Sequence, residues 1–255
     1  MCSSDLAEVI ATGVSPNGEN INKKCGALFP ECMAQMVVKH KANLGIALDG
    51  DGDRVIFCDE NGTVIDGDAI MAICAVDMLR KKTLTKKTLV ATVMSNMGLD
   101  LLMAKHGGKV IRARVGDRYV VDELRQRELN FGGEQSGHLI FMEHSTTGDG
   151  IVSALQVLSV MLDTGRKLSE LSMTLERLPQ VLINVPVKEK PNLDEIQPVK
   201  AAIEAIEKKL KGKGRILVRY SGTELLARVM IEGSPQKDID KMAKDLAALI
   251  KREIG

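Results

Sequence analysis

Residues 44–54 read LGIALDGDGDR. Leu44 to Leu48 is an unbroken apolar run, the pattern of a strand covered on both faces, and it predicts an α/β unit in which this strand has parallel neighbours. Upstream, Ala7 to Val14 alternates and is rich in β-branched residues, which predicts a strand that SPNGEN (15–20) then breaks. Between the two, Met33, Met36 and Val37 fall at helical spacing within Cys32 to Lys41. The order strand, helix, strand leads into the quoted run.

Downstream, VIFCDENGTVIDGD (55–68) reads as a hairpin turning at Asn61 and Gly62. A helix is expected from Asp68, as its N-cap, to about Lys82. Strands follow at Thr88 to Met94, Lys109 to Arg114 and Asn130 to Gly133, alternating with helices at Met97 to His106, Asp117 to Glu128 and Gly150 to Leu162. Alternation of this kind makes a second α/β unit. Pro179, Pro186 and Pro191 then flank an edge-like strand, since proline cannot donate to a central ladder. A helix (Leu193 to Leu210), two strands (Gly214 to Tyr220 and Leu226 to Glu232) and a last helix (Gln236 to Glu253) complete a small α+β region. The expected domains are residues 1–66, 67–177 and 178–255.

The 255 residues hold 35 Lys plus Arg against 34 Asp plus Glu, a net charge of +1, which argues against nucleic acid as a partner. Four Phe, two Tyr and no Trp leave little for base stacking. The longest apolar run, Ile70 to Val76, is far short of the roughly 20 residues that span a bilayer. The first ten residues lack the basic and apolar regions of a secretory signal, so no membrane association and a cytoplasmic location are expected. Cys2, Cys25, Cys32, Cys58 and Cys74 are odd in number and never spaced C-x-x-C, which predicts reduced thiols, mostly in the core.

Three loops carry chemistry. In the first, Asp49, Asp51 and Asp53 alternate with glycines and precede Arg54. The glycines let three carboxylates converge on one hard cation, and Mg²⁺ is expected where a phosphate shares its shell. An EF-hand would also place Asp at positions 1, 3 and 5 and Glu60 at position 12, but its obligatory glycine is here Arg54 and both flanks read as strands. A dehalogenase-type D-x-D nucleophile finds no further support in the chain, and a solvated acidic turn is the bland alternative.

The second loop, GGEQSGH (132–138), clusters Glu134, Ser136 and His138 between glycines. In an extended backbone Glu134 and Ser136 share a face and suit adjacent sugar hydroxyls, while His138 suits a proton acceptor near neutral pH. A glycine-rich turn with a locally bonded His is the competing reading. The third, RYSGTE (219–224), sets Arg219, Ser221, Gly222 and Thr223 between two strands, a guanidinium fork and turn amides fit for a phosphate monoester.

Together these motifs resemble the α-D-phosphohexomutase superfamily. LGIALDGDGDR is similar to its metal loop, ATVMSNMGL (91–99) and RARVGDRYV (112–120) to third-domain segments, GGEQSGH to its sugar loop and RYSGTE to its phosphate loop, in the family's order and across essentially the whole chain. The resemblance implies two Rossmann-like α/β/α mutase domains, the first incomplete, followed by a small α+β C-terminal domain. It further implies interconversion of glucosamine 6-phosphate and glucosamine 1-phosphate through a phosphoserine, a phosphorylated amino sugar as ligand, and a homodimeric full-length enzyme. Asp49, Asp51 and Asp53 would then hold Mg²⁺, and Arg54 would contact the transferring phosphate. Glu134 and Ser136 would grip sugar hydroxyls, with His138 as the catalytic proton acceptor. Arg219, Ser221, Gly222 and Thr223, assisted by Arg228, would hold the distal phosphate.

Three departures stand beside this likeness. No SASHN-like serine loop occurs in the 255 residues, and neither Ser95, expected on the third-domain strand, nor Ser145 replaces it. The second domain lacks its first strand and helix, which predicts an exposed sheet edge. Leu225 also stands where the family has proline after S-G-T-E. A non-catalytic phosphosugar-binding fragment, and a mutase acting on glucose or mannose phosphates, are the alternatives.

Overall fold

A computed structural model describes residues 7–255, so Cys2 and the first six residues of the N-terminal reading lie outside the described residues. The chain divides into two compact units, one formed by the stretch up to Met94 with His106–Leu175, the other by Ser95–Lys105 with Glu176–Gly255.

In the first unit, helix α1 (Pro30–His40) starts on a proline and stops at Lys41, whose left-handed backbone turns its N–H back onto the Val37 and Val38 carbonyls. Strands β1 (Leu44–Leu48), β2 (Val55–Asp59) and β3 (Val64–Ile65) form an antiparallel meander in that order. The hairpin is as expected, and the Asp59 carboxylate closes it by accepting from the Asn61 and Thr63 amides at 2.9 Å each.

Two expectations fail here. Residues 7–14 form no strand, and β1 has an antiparallel neighbour rather than parallel ones. The link from Asp49 to Arg54 is far shorter than the dozen or so residues that a parallel crossover needs, so only an antiparallel return is open to it. Nor is β1 covered on both faces, because Ile46 is 41% exposed. Among the described residues β1 pairs on one side only.

The second sheet of this unit runs β5-β4-β6-β7, with β4 (Thr88–Thr92) parallel to β5 (Lys109–Ala113) and β6 (Phe131–Gly133), and β7 (Leu139–Phe141) antiparallel to β6. Helix α4 (Asp117–Gln126) sets Val120 and Leu124 into a core with Val90, Ala113 and Ile140. Helix α2 (Gly67–Lys81) is buried continuously from Ile70 to Ala75, where Met71 and Cys74 fill space that aromatic residues usually take. Its N-cap is Asp66, not Asp68. Asp66 has the extended backbone of a cap and accepts from the Ala69 amide at 3.2 Å, while Asp68 lies buried in the first turn. Helix α5 (Gly150–Thr164) is capped by Asp149, and the short α6 (Leu168–Ser172) follows.

In the second unit, β10 (Leu226–Glu232) lies between β8 (Gln180–Pro186) and β9 (Arg215–Tyr220), antiparallel to both, so the proline-flanked strand is an edge. Helices α7 (Gln197–Leu210) and α8 (Gln236–Ile254) contribute Val199, Ile206, Ile239, Leu246 and Ile250 to a core with Val185, Val229 and Ile231. The helix expected from Leu193 is split into a 3-10 turn (Leu193–Glu195) and α7, because Pro198 has no N–H to give the Asp194 carbonyl and its ring excludes that carbonyl, so it is accommodated only in the first turn of a new helix.

Helix α3 (Gly98–Lys105) belongs to this unit through a buried polar knot. Arg215 pairs with Glu232 and donates to the Ser95 carbonyl at 2.6 Å, the Met97 amide donates to Glu232 at 3.2 Å, and Asn96 exchanges two 3.0 Å hydrogen bonds with Leu178. Ser95 therefore sits in a buried turn beyond β4 rather than on a strand. Of the four described cysteines only Cys58 and Cys74 are core residues, since Cys25 is half-buried and Cys32 exposed.

Candidate functional site

In the first unit, the loop between β1 and β2 folds on itself through Arg54. The Arg54 amide donates to Asp49 Oδ1 at 3.1 Å, its guanidinium Nε lies 2.9 Å from Asp49 Oδ2 and 3.7 Å from Asp53 Oδ1, and the Asp49 amide donates to the Arg54 carbonyl at 3.2 Å. Asp49, Asp51 and Asp53 thereby offer oxygens all within 4.8 Å of one another. Burial acts to raise the Asp49 carboxyl, but the Arg54 amide, Asp53 and the Arg54 guanidinium outweigh it and hold Asp49 below the usual range. For Asp53, burial and the adjacent Asp49 push the carboxyl up. One arginine cannot neutralise three carboxylates, and Asp53 Oδ1 is buried with no hydrogen-bond partner. This donor set, all hard oxygen with one orphaned acceptor, fits a small divalent cation.

The second loop is brought against the first. Arg54 and His138 form an antiparallel bridge, and the Val55 amide donates to the Gly137 carbonyl at 3.0 Å. Residues 134–137 make a tight turn, closed by the Gly137 amide on the Glu134 carbonyl at 3.1 Å, so they are not the extended segment assumed for a shared Glu134–Ser136 face. Gly137 allows this with φ +92°, and a Cβ there would fall 2.2 Å from the Val55 carbonyl oxygen. Glu134 accepts from the Gly116 amide at 3.0 Å, and Ser136 is exposed.

His138 lies against the first loop. It is 3% exposed, its Nδ1 lies 2.9 Å from Asp53 Oδ2, and its Nε2 accepts from the Gly148 amide at 3.2 Å. Both ring nitrogens are engaged, Nδ1 by Asp53 and Nε2 by Gly148. Sequence reasoning missed Gly148 and Gly116, backbone donors in loops with no spacing signal of their own.

In the second unit, Arg219 and Arg228 are direct cross-strand partners on β9 and β10, a like-charge juxtaposition that costs stability without an anion. Burial, then the charge of Arg228, lowers the Arg219 pKa. Between them the loop places Ser221 in the interior and leaves Gly222 and Thr223 exposed. Arg228 reaches Glu224 at 3.2 Å and the Ser221 hydroxyl at 3.5 Å, while its Nε is buried without a partner. Lys190, which sequence reasoning missed, donates to the Ser221 carbonyl at 2.7 Å. Three cationic side chains and one orphaned donor therefore surround this turn.

Residues 66–178 match the model of phosphoglucomutase/phosphomannomutase α/β/α domain III, and residues 182–249 that of the phosphoglucomutase/phosphomannomutase C-terminal domain. The chain belongs to the phosphoglucomutase/phosphomannomutase family. Within that family it is similar to the phosphoglucosamine mutases of Geotalea daltonii (59% identical) and Citrifermentans bemidjiense (56%), each over 98% of this chain and 55% of the relative. The chain thus spans about half the length of the curated relatives it matches. Its fold is similar to that of Aspergillus fumigatus N-acetylphosphoglucosamine mutase in complex with GlcNAc-6P and magnesium, with a TM-score of 0.72 at 22% identity over 91% of this chain and 57% of that one. A phosphoglucomutase/phosphomannomutase family protein from Burkholderia thailandensis gives 0.73 at 18%, over 90% and 51%. No helix of the described residues is long and apolar enough to cross a membrane.

Proposed function

We propose that these residues carry the metal, sugar and phosphate loops of a phosphoglucosamine mutase, divided as domains 1–66, 67–177 and 178–255. The reaction interconverts glucosamine 6-phosphate and glucosamine 1-phosphate by way of a phosphoserine supplied from outside the 255 residues. The reading rests on one complementary pair of observations: a buried carboxylate oxygen without a donor at Asp53 and a buried guanidinium nitrogen without an acceptor at Arg228. The first calls for a cation and the second for an anion, each within its own unit, and phosphoryl transfer uses both kinds of charge.

Asp49, Asp51 and Asp53 would hold Mg²⁺, which when bound supplies positive charge against the developing charge of the phosphoryl oxygens. Arg54, its side chain 39% exposed while tied to Asp49, contacts the same phosphoryl group. Glu134, one oxygen fixed by Gly116, offers the other to a sugar hydroxyl, and Ser136 offers a second contact from the turn. Arg219, Arg228, Ser221 and the amides of Gly222 and Thr223 grip the phosphate that does not react, so either isomer is held by its distal end. A cytoplasmic location and a homodimeric full-length enzyme belong to the same proposal.

Joining this chain to the serine-bearing N-terminal part of a relative tests the reading. Glucosamine 1-phosphate formation from glucosamine 6-phosphate, abolished by Arg54→Ala, is the expected result. A folded fusion that binds the sugar phosphate without turnover would make the chain a binding module, and faster turnover of glucose or mannose phosphate would reassign the sugar.

A further inference from the structure

We propose that His138 is a positioning residue for the cation site, fixing Asp53 so that a single oxygen, Oδ1, is presented to the ion. The inference rests on the reading of the Asp49, Asp51 and Asp53 loop as a cation site, and it concerns the Nδ1 side of the ring, apart from the proton-acceptor role expected of this histidine.

The argument starts from the backbone. A neutral imidazole has one donor nitrogen and one acceptor, and which is which follows from its partners. The Gly148 amide can only donate, so Nε2 at 3.2 Å is the acceptor and the ring proton resides on Nδ1. That proton is donated to Asp53 Oδ2 at 2.9 Å. The order is therefore Gly148 N–H to His138, and His138 N–H to Asp53. With Oδ2 taken, Oδ1 is the oxygen left, and it is the one buried without a partner.

The supports of this relay are built for the purpose. Only glycine lets the 148 amide approach the ring, since a Cβ there would lie 2.4 Å from both Cε1 and Nε2 of His138. Two residues on, the Gly150 amide donates to the Gly52 carbonyl at 2.9 Å, so the same strap at the start of α5 holds the loop's backbone as well as its carboxylate. The 54–138 bridge fixes the distance between histidine and loop. Without His138, Asp53 is free to turn toward Arg54 Nε, already within 3.7 Å. Partners of this kind set the orientation of metal-ligating carboxylates, and their loss weakens affinity by about 10–100-fold.

The test uses the 255-residue chain with Mn²⁺ as the probe, its binding followed by electron paramagnetic resonance, for wild type, His138→Ala and His138→Asn. Both variants lose the acceptor for Gly148, and only Asn retains an N–H near the position of Nδ1. Ala is expected to weaken Mn²⁺ binding about 10–100-fold and Asn to restore most of it, at equal melting temperatures. In ion-free wild type, ¹⁵N spectra are expected to show His138 protonated on Nδ1. Asn binding no better than Ala, or a ring proton on Nε2, overturns the positioning role alone. Wild type that binds no Mn²⁺ overturns the cation site and the positioning role with it.

Discussion

Arg228→Met should leave the ligand-free chain almost unchanged in stability while stripping it of phosphate affinity. Methionine keeps the apolar stem and removes the guanidinium. In the free chain, relief of the repulsion with Arg219 directly opposite is worth roughly 0.2–1 kcal/mol. The lost bridge to the largely exposed Glu224 costs roughly 0–1 kcal/mol, so the two nearly cancel. With phosphate bound the balance differs, because a hydrogen bond to a charged group contributes about 1.5–3 kcal/mol, and removing it weakens binding about ten- to a hundredfold. Ligand at 100 times the wild-type dissociation constant stabilises by about 2.7 kcal/mol, which falls to about 1.4 or 0.4 kcal/mol in the variant. Thermal unfolding across a glucosamine 6-phosphate titration reads both quantities. A free variant destabilised by more than about 1 kcal/mol, with ligand protection intact, would make Arg228 structural and refute the reasoning.

Three further outcomes are expected. Glu224→Gln should bind glucosamine 6-phosphate several-fold more tightly by calorimetry, because the carboxylate 3.2 Å from Arg228 competes with the incoming phosphate; weaker binding would make Glu224 part of the grip. Gly137→Ala should cost about 1–3 kcal/mol in chemical unfolding and lower Mn²⁺ affinity, since its φ of +92° and the Val55 carbonyl leave no room for a methyl group. Thiol titration should label Cys32 first and then Cys25 among the described cysteines. Burial pushes Cys58 up to about 11 and Cys74 to about 12, so at pH 8 their thiolate fractions are about 10⁻³ and 10⁻⁴ and rise tenfold per pH unit. Early reaction of Cys74 would show that α2 is not packed as described.

The parts of this protein that were legible from sequence are those governed by local rules. Asn61 and Gly62 announce the hairpin, Pro179 and Pro186 announce an edge strand, and the helix periodicities place α2, α4 and α8 to within two residues. What escaped depends on partners distant in the chain. An apolar pentapeptide at Leu44–Leu48 does not reveal that its connection is too short for a parallel return, nor that Ile46 faces outward. Helix 98–105 reads as one more step of an α/β alternation, yet the Arg215–Glu232 pair gathers it into the second unit. At the site, the sequence grouped the candidate residues into three loops but did not reveal the contacts of His138, because one of them is a Gly148 amide ten residues away whose only signature is the absence of a side chain.

The most direct measurement is calorimetric titration of the 255-residue chain with glucosamine 6-phosphate, with and without Mg²⁺, beside an Arg219→Ala control. Saturable binding that Arg219→Ala abolishes is the predicted result. A folded chain that shows no binding under either condition would contradict the account.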